Sequence, residues 1–484
     1  MDVCNGDSSL RETGSFARDD AELQFVLHMN PFARFGCVLW LAMLSLTQAS
    51  SAYSVLTHEQ VVDLLWDVQI RPMLKERFPG MTGDDMKQAH AYAYGGSLVQ
   101  DMGYYPFGNK YFSDLTHYVR TGTFVMTLIQ EAQTPNEYAF ALGALAHYVS
   151  DNCGHPAINA AVAMEFPHLE KKYGKSVTYE DSPKSHIRAE FGFDMTEVAK
   201  NHYTSDRFHD FVGFEISKDL LERAFPKVYG IEFRDVIHDE DLAIGTFRRS
   251  VSEVIPEMTR VALLARREEI VKDTPSAAKK KYLYYLSRSR YEREWGTDYR
   301  RPGLGTRILA FVLKIVPKVG PFSALNFKIP PQKAEDQFVK SVDETVQHYR
   351  QVLMETKSGT LELADMDFDT GHETRAGEYA LADKTYAHLV ANLADSDFKQ
   401  MTPQLREDIL GYYSNPDAPL VTKRNRKDWE KLQANLERLK TAPTTASIRL
   451  LPPMRSLSAT HPGPATSRGY RTSDVVRPRD FSLF

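Results

Sequence analysis

Cysteine is nearly missing from this chain, with three residues in 484. Two of them, Cys4 and Cys37, precede the end of the leader described below, so a processed chain keeps Cys153 alone. A lone cysteine excludes an internal disulfide framework and a sulfur-rich structural zinc site. An excess of positive charge is also missing. Lys and Arg total 59 against 64 Asp and Glu, a formal net charge of -5, and this removes the polycationic signature of a general nucleic-acid binder. Alternating β-branched runs and internal repeats are absent, which argues against sandwiches, barrels and solenoids. What is present is an ordinary globular balance, 42% hydrophobic and 25% charged, in a chain long enough for a large core.

The start reads as an export signal. From Met29, "MNPFARFGCVLWLAMLSLTQASSAYSV" holds Arg34, an apolar run from Phe35 to Leu46, and small residues ending at Ala52. The run is about a dozen residues, short of the roughly 20 that a span requires, so cleavage near Ala52 and a secreted or periplasmic product are expected. Residues 1–28 form an upstream extension.

Helical periodicity dominates the rest. It predicts helices over 57–77 (capped by Thr57, kinked or ended at Pro72), 113–132 (capped by Ser113), 136–151, 182–201 and 334–357, with further helical patterns over 210–270 and up to 441. Gly154 and Pro156 leave the end of the third helix open near Asp151–Gly154. Residues 279–331 are basic and aromatic, then strongly apolar, and read either as a core helix entered from a solvated face or as an interfacial element touching anionic lipid. In "DMDFDTGHETRAGEY" (365–379) Asp365, Asp367 and Asp369 resemble half a calcium loop. Gly371 falls one place late and no terminal Glu follows, so a solvated turn is expected. The domain reading is 1–52 leader, 53–215 helical core, 216–441 helical extension and 442–484 disordered tail, all-α throughout.

One stretch carries more than packing. "ALGALAHYVSDNCGHPAINAAVA" (141–163) places His147, Asp151 and His155 at steps of four, on one helix face. Buried imidazoles and carboxylates are costly unless paired or bound to metal. "HIRAE" repeats the step with His186 and Glu190. His58, Asp101 and His117 lie on or beside other predicted helices. Together these are five histidines and three carboxylates, donors that suit zinc and are numerous enough for more than one ion.

The segments "LTHEQVV", "GGSLVQDMGYYPFGNKYFSDLTHYVRTGTFV", "FALGALAHYVSDNCGHPAI" and "SHIRAEFGFD" resemble, in order, the zinc-dependent phospholipase C family, a fold shared with S1/P1-type nucleases. The resemblance covers roughly residues 53–200. It implies an all-α multi-helix phospholipase C/P1 nuclease-like bundle with a helical C-terminal extension. It further implies a zinc cluster in which Asp101 faces the first pair of metals, with His117 and His147 as nitrogen ligands and Asp151 shared. His155, His186 and Glu190 would complete another site, and His58 would serve an outer zinc. In the family that outer ion also takes the mature N-terminal residue. Tyr53 is only five residues before His58, closer than usual, so two or three zinc ions are expected.

The implied reaction is attack of a metal-bound hydroxide on a phospholipid head-group ester, with Asp101 as general base or as ligand. Glu190, rather than Asp, favours the phospholipase branch. The partners are then a phospholipid or other phosphodiester, with peripheral membrane contact through 279–331. The alternatives are a nuclease or nucleotidase with the same ions, using Tyr104, Tyr105 and Phe107 as base platforms, and a non-catalytic zinc-stabilised helical module.

Overall fold

The computed structural model describes residues 54–200, 202–203, 212–272 and 327–445. The leader, Tyr53, residues 279–326 and the tail beyond 445 lie outside the described residues. Within them the chain is all-α, relieved by one pair of two-residue strands.

The first predicted helix forms in three pieces: α1 (Val55–Leu65), a wider π turn (Trp66–Ile70) and α2 (Arg71–Arg77). Pro72 closely follows the π turn, with Ile70 and Arg71 both helical at the junction, so it neither ends the helix nor interrupts its course. Thr57 does not cap α1. Its hydroxyl donates to Asp194 Oδ1 at 2.6 Å, and the Leu56 N–H donates to Asp194 Oδ2 at 3.0 Å. A carboxylate far along the chain thus satisfies the start of α1 and fixes His58 one residue later.

Next come α3 (Gly83–Gly96), opened by a reciprocal Thr82/Asp85 capping box, and a 3₁₀ segment (Val99–Tyr104) that carries Asp101. The predicted 113–132 helix is two: α4 (Lys110–Tyr118) and α5 (Thr121–Glu131), broken where Arg120 takes a left-handed φ of 51°. Asn109 caps α4. Ser113 lies inside it, accepting the Gly103 N–H and donating to the Gln100 carbonyl, which ties α4 to the Asp101 segment.

The long helix α6 (Pro135–Glu165) runs past the predicted end and through Pro156. Proline loses one backbone bond there, and the buried turns on either side keep the helix continuous. It is followed by α7 (Pro167–Tyr173), α8 (Pro183–Ala199), α9 (Lys218–Tyr229), α10 (Phe233–Val236), α11 (Glu240–Arg249), a second π turn (Ser250–Val254) and α12 (Ile255–Lys272). After the gap in description come α13 (Gln332–Ser358), the strands β1 (Met366–Asp367) and β2 (His372–Glu373), α14 (Ala380–Asp395), α15 (Pro403–Tyr412) and α16 (Arg426–Thr441).

Glycines set the closest approach in the core. A Cβ on Gly96 of α3 would lie 1.9 Å from the Phe140 carbonyl oxygen, and one on Gly143 of α6 would lie 2.1 Å from that of Ala93. The two backbones therefore touch, and the chain just beyond α3 is pressed against α6 at His147. On the other side of α6, α13 is tied by the Tyr349 hydroxyl, which donates to the Leu142 carbonyl at 2.8 Å. One apolar cluster joins Val61, Leu142, Tyr349 and Leu389; a second joins Leu56, Ile158, Phe193 and Phe338, with the last two rings stacked at 4.4 Å. Along α6, Val149 belongs to the first cluster and Ile158 to the second. The polar stretch of the helix lies between them.

The 365–379 segment is not the solvated turn expected from its acids. β1 and β2 pair antiparallel, and Asp367, Phe368 and Asp369 are buried. Asp365 accepts the Thr123 N–H at 2.8 Å in the first turn of α5, Met366 exchanges bonds with the Thr121 hydroxyl, and the Phe368 N–H donates to the His117 carbonyl at 3.1 Å. The acids that suggested solvent answer donors within the fold instead, backbone N–H groups at Asp365 and Asp367 and tyrosine hydroxyls at Asp369.

Two stability predictions follow from packing and burial. Gly143→Ala must push α3 from α6, and the urea midpoint should fall by an amount equivalent to about 1–3 kcal/mol. Glu165 has both carboxylate oxygens buried without a hydrogen-bond partner; burial pushes its acid up to about 8, with Lys328 pulling the other way. The folded state therefore favours the neutral acid. That advantage is complete below about 4.5, the ordinary value, and is lost as pH rises through about 8. Glu165→Gln should match the wild type near pH 4.5 and become progressively more stable than it towards pH 8.5, read as the difference in Tm across a pH series.

Candidate metal centre

The frame above brings the predicted residues to the middle of the molecule. His58, His117, His147, Asp151, His155 and His186 are fully buried, and Asp101 and Glu190 nearly so. Two trios have ligand atoms within 4.8 Å of one another: His58, His147 and Asp151, and Asp101, His117 and His147. His147 is common to both. His155, His186 and Glu190 form no such trio among the described residues, but they are joined in pairs. The His155 and His186 rings meet edge to face at 5.4 Å, and His186 Nδ1 lies 2.7 Å from Glu190 Oε1.

Proton positions follow from the partners. His147 Nδ1 faces the Ser97 carbonyl at 2.9 Å and His117 Nδ1 faces the Ser113 carbonyl at 2.8 Å. A carbonyl only accepts, so both Nδ1 atoms carry hydrogen, and in the neutral rings Nε2 keeps its lone pair. Each lone pair then points at other acceptors. His147 Nε2 is 3.2 Å from Asp151 Oδ2; His117 Nε2 is 3.3 Å from Asp101 Oδ1 and 3.6 Å from Asp151 Oδ2. Neither Nε2, nor Asp101 Oδ1, makes a hydrogen bond. His186 repeats the pattern. Its Nε2–H donates to Asn159 Oδ1 at 2.8 Å, which leaves Nδ1 as an acceptor against the Glu190 carboxylate. His58 completes the group, its ring stacked on His147 at 4.6 Å and its Nε2 3.5 Å from Asp151 Oδ1.

The electrostatics divide the rings between neutral and charged forms. Burial, then His147, pushes His58 down to about 3, and burial, then His155, does the same to His186. Both imidazoles are therefore neutral, the form that binds metal. Burial and then the charge of Asp101 hold Glu190 well above the carboxylate range. At His147 burial opposes the charged form, but Asp151 outweighs it and raises the ring to about 9. At Asp151 burial is outweighed by His147, which holds the carboxylate below its ordinary value.

Acceptor facing acceptor in a buried place requires a proton or a cation between them. The donor set, imidazole nitrogens and carboxylate oxygens with outer carbonyls orienting the rings, fits zinc. His58, Asp101, His117, His147 and Asp151 would hold one group of ions, and His155, His186 and Glu190 another. Cys153 takes no part. Its sulfur lies 3.9 Å from His348 Nδ1, and burial raises its thiol to about 11.

Sequence reading missed two residues here. Asn159, one turn past His155, orients His186. Asp369, from the β1–β2 turn, places Oδ1 3.2 Å from His155 Nδ1. No local spacing announces either, because an Asn on a helix and an Asp in an acidic loop are common surface residues.

Asp151 touches three histidines, so its charge is the one the centre can least lose. Asp151→Asn should bind zinc more weakly by over 100-fold, beyond the roughly 10–100-fold cost of outer-shell changes, and should hold fewer ions per chain after dialysis, measured by atomic absorption.

No curated protein matches this chain, and no solved structure does. A family model described as zinc dependent phospholipase C matches residues 57–238, the span that supplies all eight predicted donors. Residues 57–238 belong to the zinc-dependent phospholipase C family.

Proposed function

We propose that this chain is an exported zinc-dependent phosphodiesterase that hydrolyses a phospholipid head-group ester in the manner of a phospholipase C. The observation that carries the reading is the convergence of His58, Asp101, His117, His147 and Asp151, drawn from four elements, on one buried spot with their lone pairs turned inward. Zinc bound there supplies positive charge for an anionic phosphodiester and lowers the pKa of water.

The chain's own groups do the rest. The Ser97 and Ser113 carbonyls hold His147 and His117 in one tautomer. Asp101 Oδ1, buried and without a hydrogen bond, can hold a metal or take a proton from water, but not both at once. Aromatic rings pack around the segment that carries Asp101. Tyr104 lies edge-on to His117 at 5.8 Å and tilted to Tyr179 at 6.4 Å, and Tyr105 packs on Phe247 at 4.6 Å. These two tyrosines are core residues, which weakens the base-platform argument for a nuclease. Phe107, two residues on in the same loop, is 58% exposed and offers apolar surface suited to a lipid. Export through cleavage near Ala52 and lipid contact through 279–331 complete the proposal; both rest on sequence alone. Among the described residues no helix is long and apolar enough to cross a membrane.

The test is a substrate panel on the zinc-loaded chain: phosphatidylcholine vesicles, single-stranded DNA and a nucleotide. Release of water-soluble organic phosphate from the vesicles is expected, and His117→Ala should lower that turnover by at least about 100-fold. Cleavage of DNA without lipid turnover transfers the site to the nuclease reading. Zinc bound with no turnover of any substrate leaves the non-catalytic module.

A further inference from the structure

We propose that Asp369 is a positioning residue of the metal centre, holding His155 directly and His186 through Asn159, from a part of the chain outside the matched segment. The inference rests on the metal reading above and extends it to the second group of ligands.

Asp369 is fully buried. Its Oδ2 accepts from the Tyr118 hydroxyl at 2.9 Å and from the Tyr379 hydroxyl. With that oxygen fixed, Oδ1 faces His155 Nδ1 at 3.2 Å. A carboxylate oxygen opposite a ring nitrogen favours the tautomer with hydrogen on Nδ1, because the other sets two lone pairs against each other. His155 Nε2 is then the acceptor, buried and without a hydrogen bond. A carboxylate behind one ring nitrogen, with the other left for a cation, is the outer-shell arrangement that orients a metal-binding imidazole.

The same residue acts on His186 by a second route. The Asp369 carbonyl accepts from Asn159 Nδ2 at 2.8 Å, and this fixes which end of the amide is which. Asn159 Oδ1 therefore faces His186 Nε2, takes its hydrogen and leaves Nδ1 beside Glu190. One loop residue thus sets the donor nitrogens of both histidines.

The loop is locked in place by its neighbours. Gly371 has a φ of 70°, and a Cβ there would come within 2.9 Å of the Asn152 carbonyl oxygen and 3.1 Å of Pro156 Cγ. It lies against the turn of α6 where Pro156 leaves the Asn152 carbonyl without its helical partner. The Phe368 N–H bond to the His117 carbonyl ties the preceding residue to the first group of ligands.

The experiment compares the full-length zinc-loaded wild type with Asp369→Asn and Tyr379→Phe. Zinc per chain is measured after dialysis against graded chelator, and the cobalt-substituted proteins are compared by visible absorption. Asp369→Asn should lose one ion at a chelator concentration about 10–100-fold lower than the wild type, keep the others, and shift the cobalt band. Tyr379→Phe should shift the same ion in the same direction by less. Every ion held at wild-type affinity with an unchanged cobalt spectrum overturns the proposal. If Asp369→Asn does not fold, Tyr379→Phe decides, and no change in it overturns the proposal. A wild type that binds its ions but leaves phospholipid intact sinks the functional reading and leaves this one standing; a wild type that binds no zinc removes both.

Discussion

Lone pairs turned toward one another, away from water, are the constraint on which this molecule is built. In an apolar helical frame a neutral imidazole facing a carboxylate is a conflict unless something positive lies between them. The chain sets up that conflict at His147 against Asp151, at His117 against Asp101 and at His186 against Glu190. In each ring the second nitrogen is already committed, to Ser97, Ser113 or Asn159. The rings therefore cannot escape by changing tautomer. Without a cation the conflict is eased only by protons, as the raised acid of Glu190 and the raised imidazole of His147 indicate. A divalent ion resolves several such conflicts at once, which is why the donors come as a cluster and not as scattered pairs.

Much of the fold serves to hold those groups within reach. The Ser97 carbonyl meets His147 because glycine on each of two helices lets their backbones touch. His58 is placed because Asp194 takes the first donors of its helix. The Ser113 carbonyl reaches His117 because both lie on α4, which breaks at Arg120 soon after. These devices are ordinary caps, turns and close contacts. Their common effect is to leave each ligand side chain little choice of direction.

The helices themselves and the donor set were readable in the sequence, for different reasons. Helices show because apolar residues recur at the helical period, and His147, Asp151, His155, His186 and Glu190 show because a four-residue step places His and acid on one face. What hid was long-range. Thr57 reads as a cap until Asp194, 137 residues away, is seen to take its hydroxyl. Residues 113–132 read as one helix because the apolar pattern runs across Arg120, and the nearest glycine, Gly122, lies inside α5 and not at the break. Pro156 reads as a terminator because local rules cannot know that tertiary burial sustains both flanks. The acids of 365–369 read as solvated because nothing nearby reveals that Thr123, Tyr118 and Tyr379 will meet them.

That last miss bears on how the chain divides its work. All eight predicted donors lie between residues 58 and 190, and a search by spacing naturally stops there. Orienting a ring, however, needs an acceptor with a lone pair to spare in the right direction. His147 and His117 find such oxygens at Ser97, beyond the end of α3, and at Ser113 on α4 itself. His155 stands mid-helix on α6, and its partner is a side chain from elsewhere, Asp369 at the turn of a hairpin. The hairpin is in turn held by the start of α5 and by the His117 carbonyl, elements that carry or adjoin the first ligands. The two groups of donors are therefore mechanically joined through a segment that supplies none of the predicted ligands. A change that loosens the hairpin reaches both.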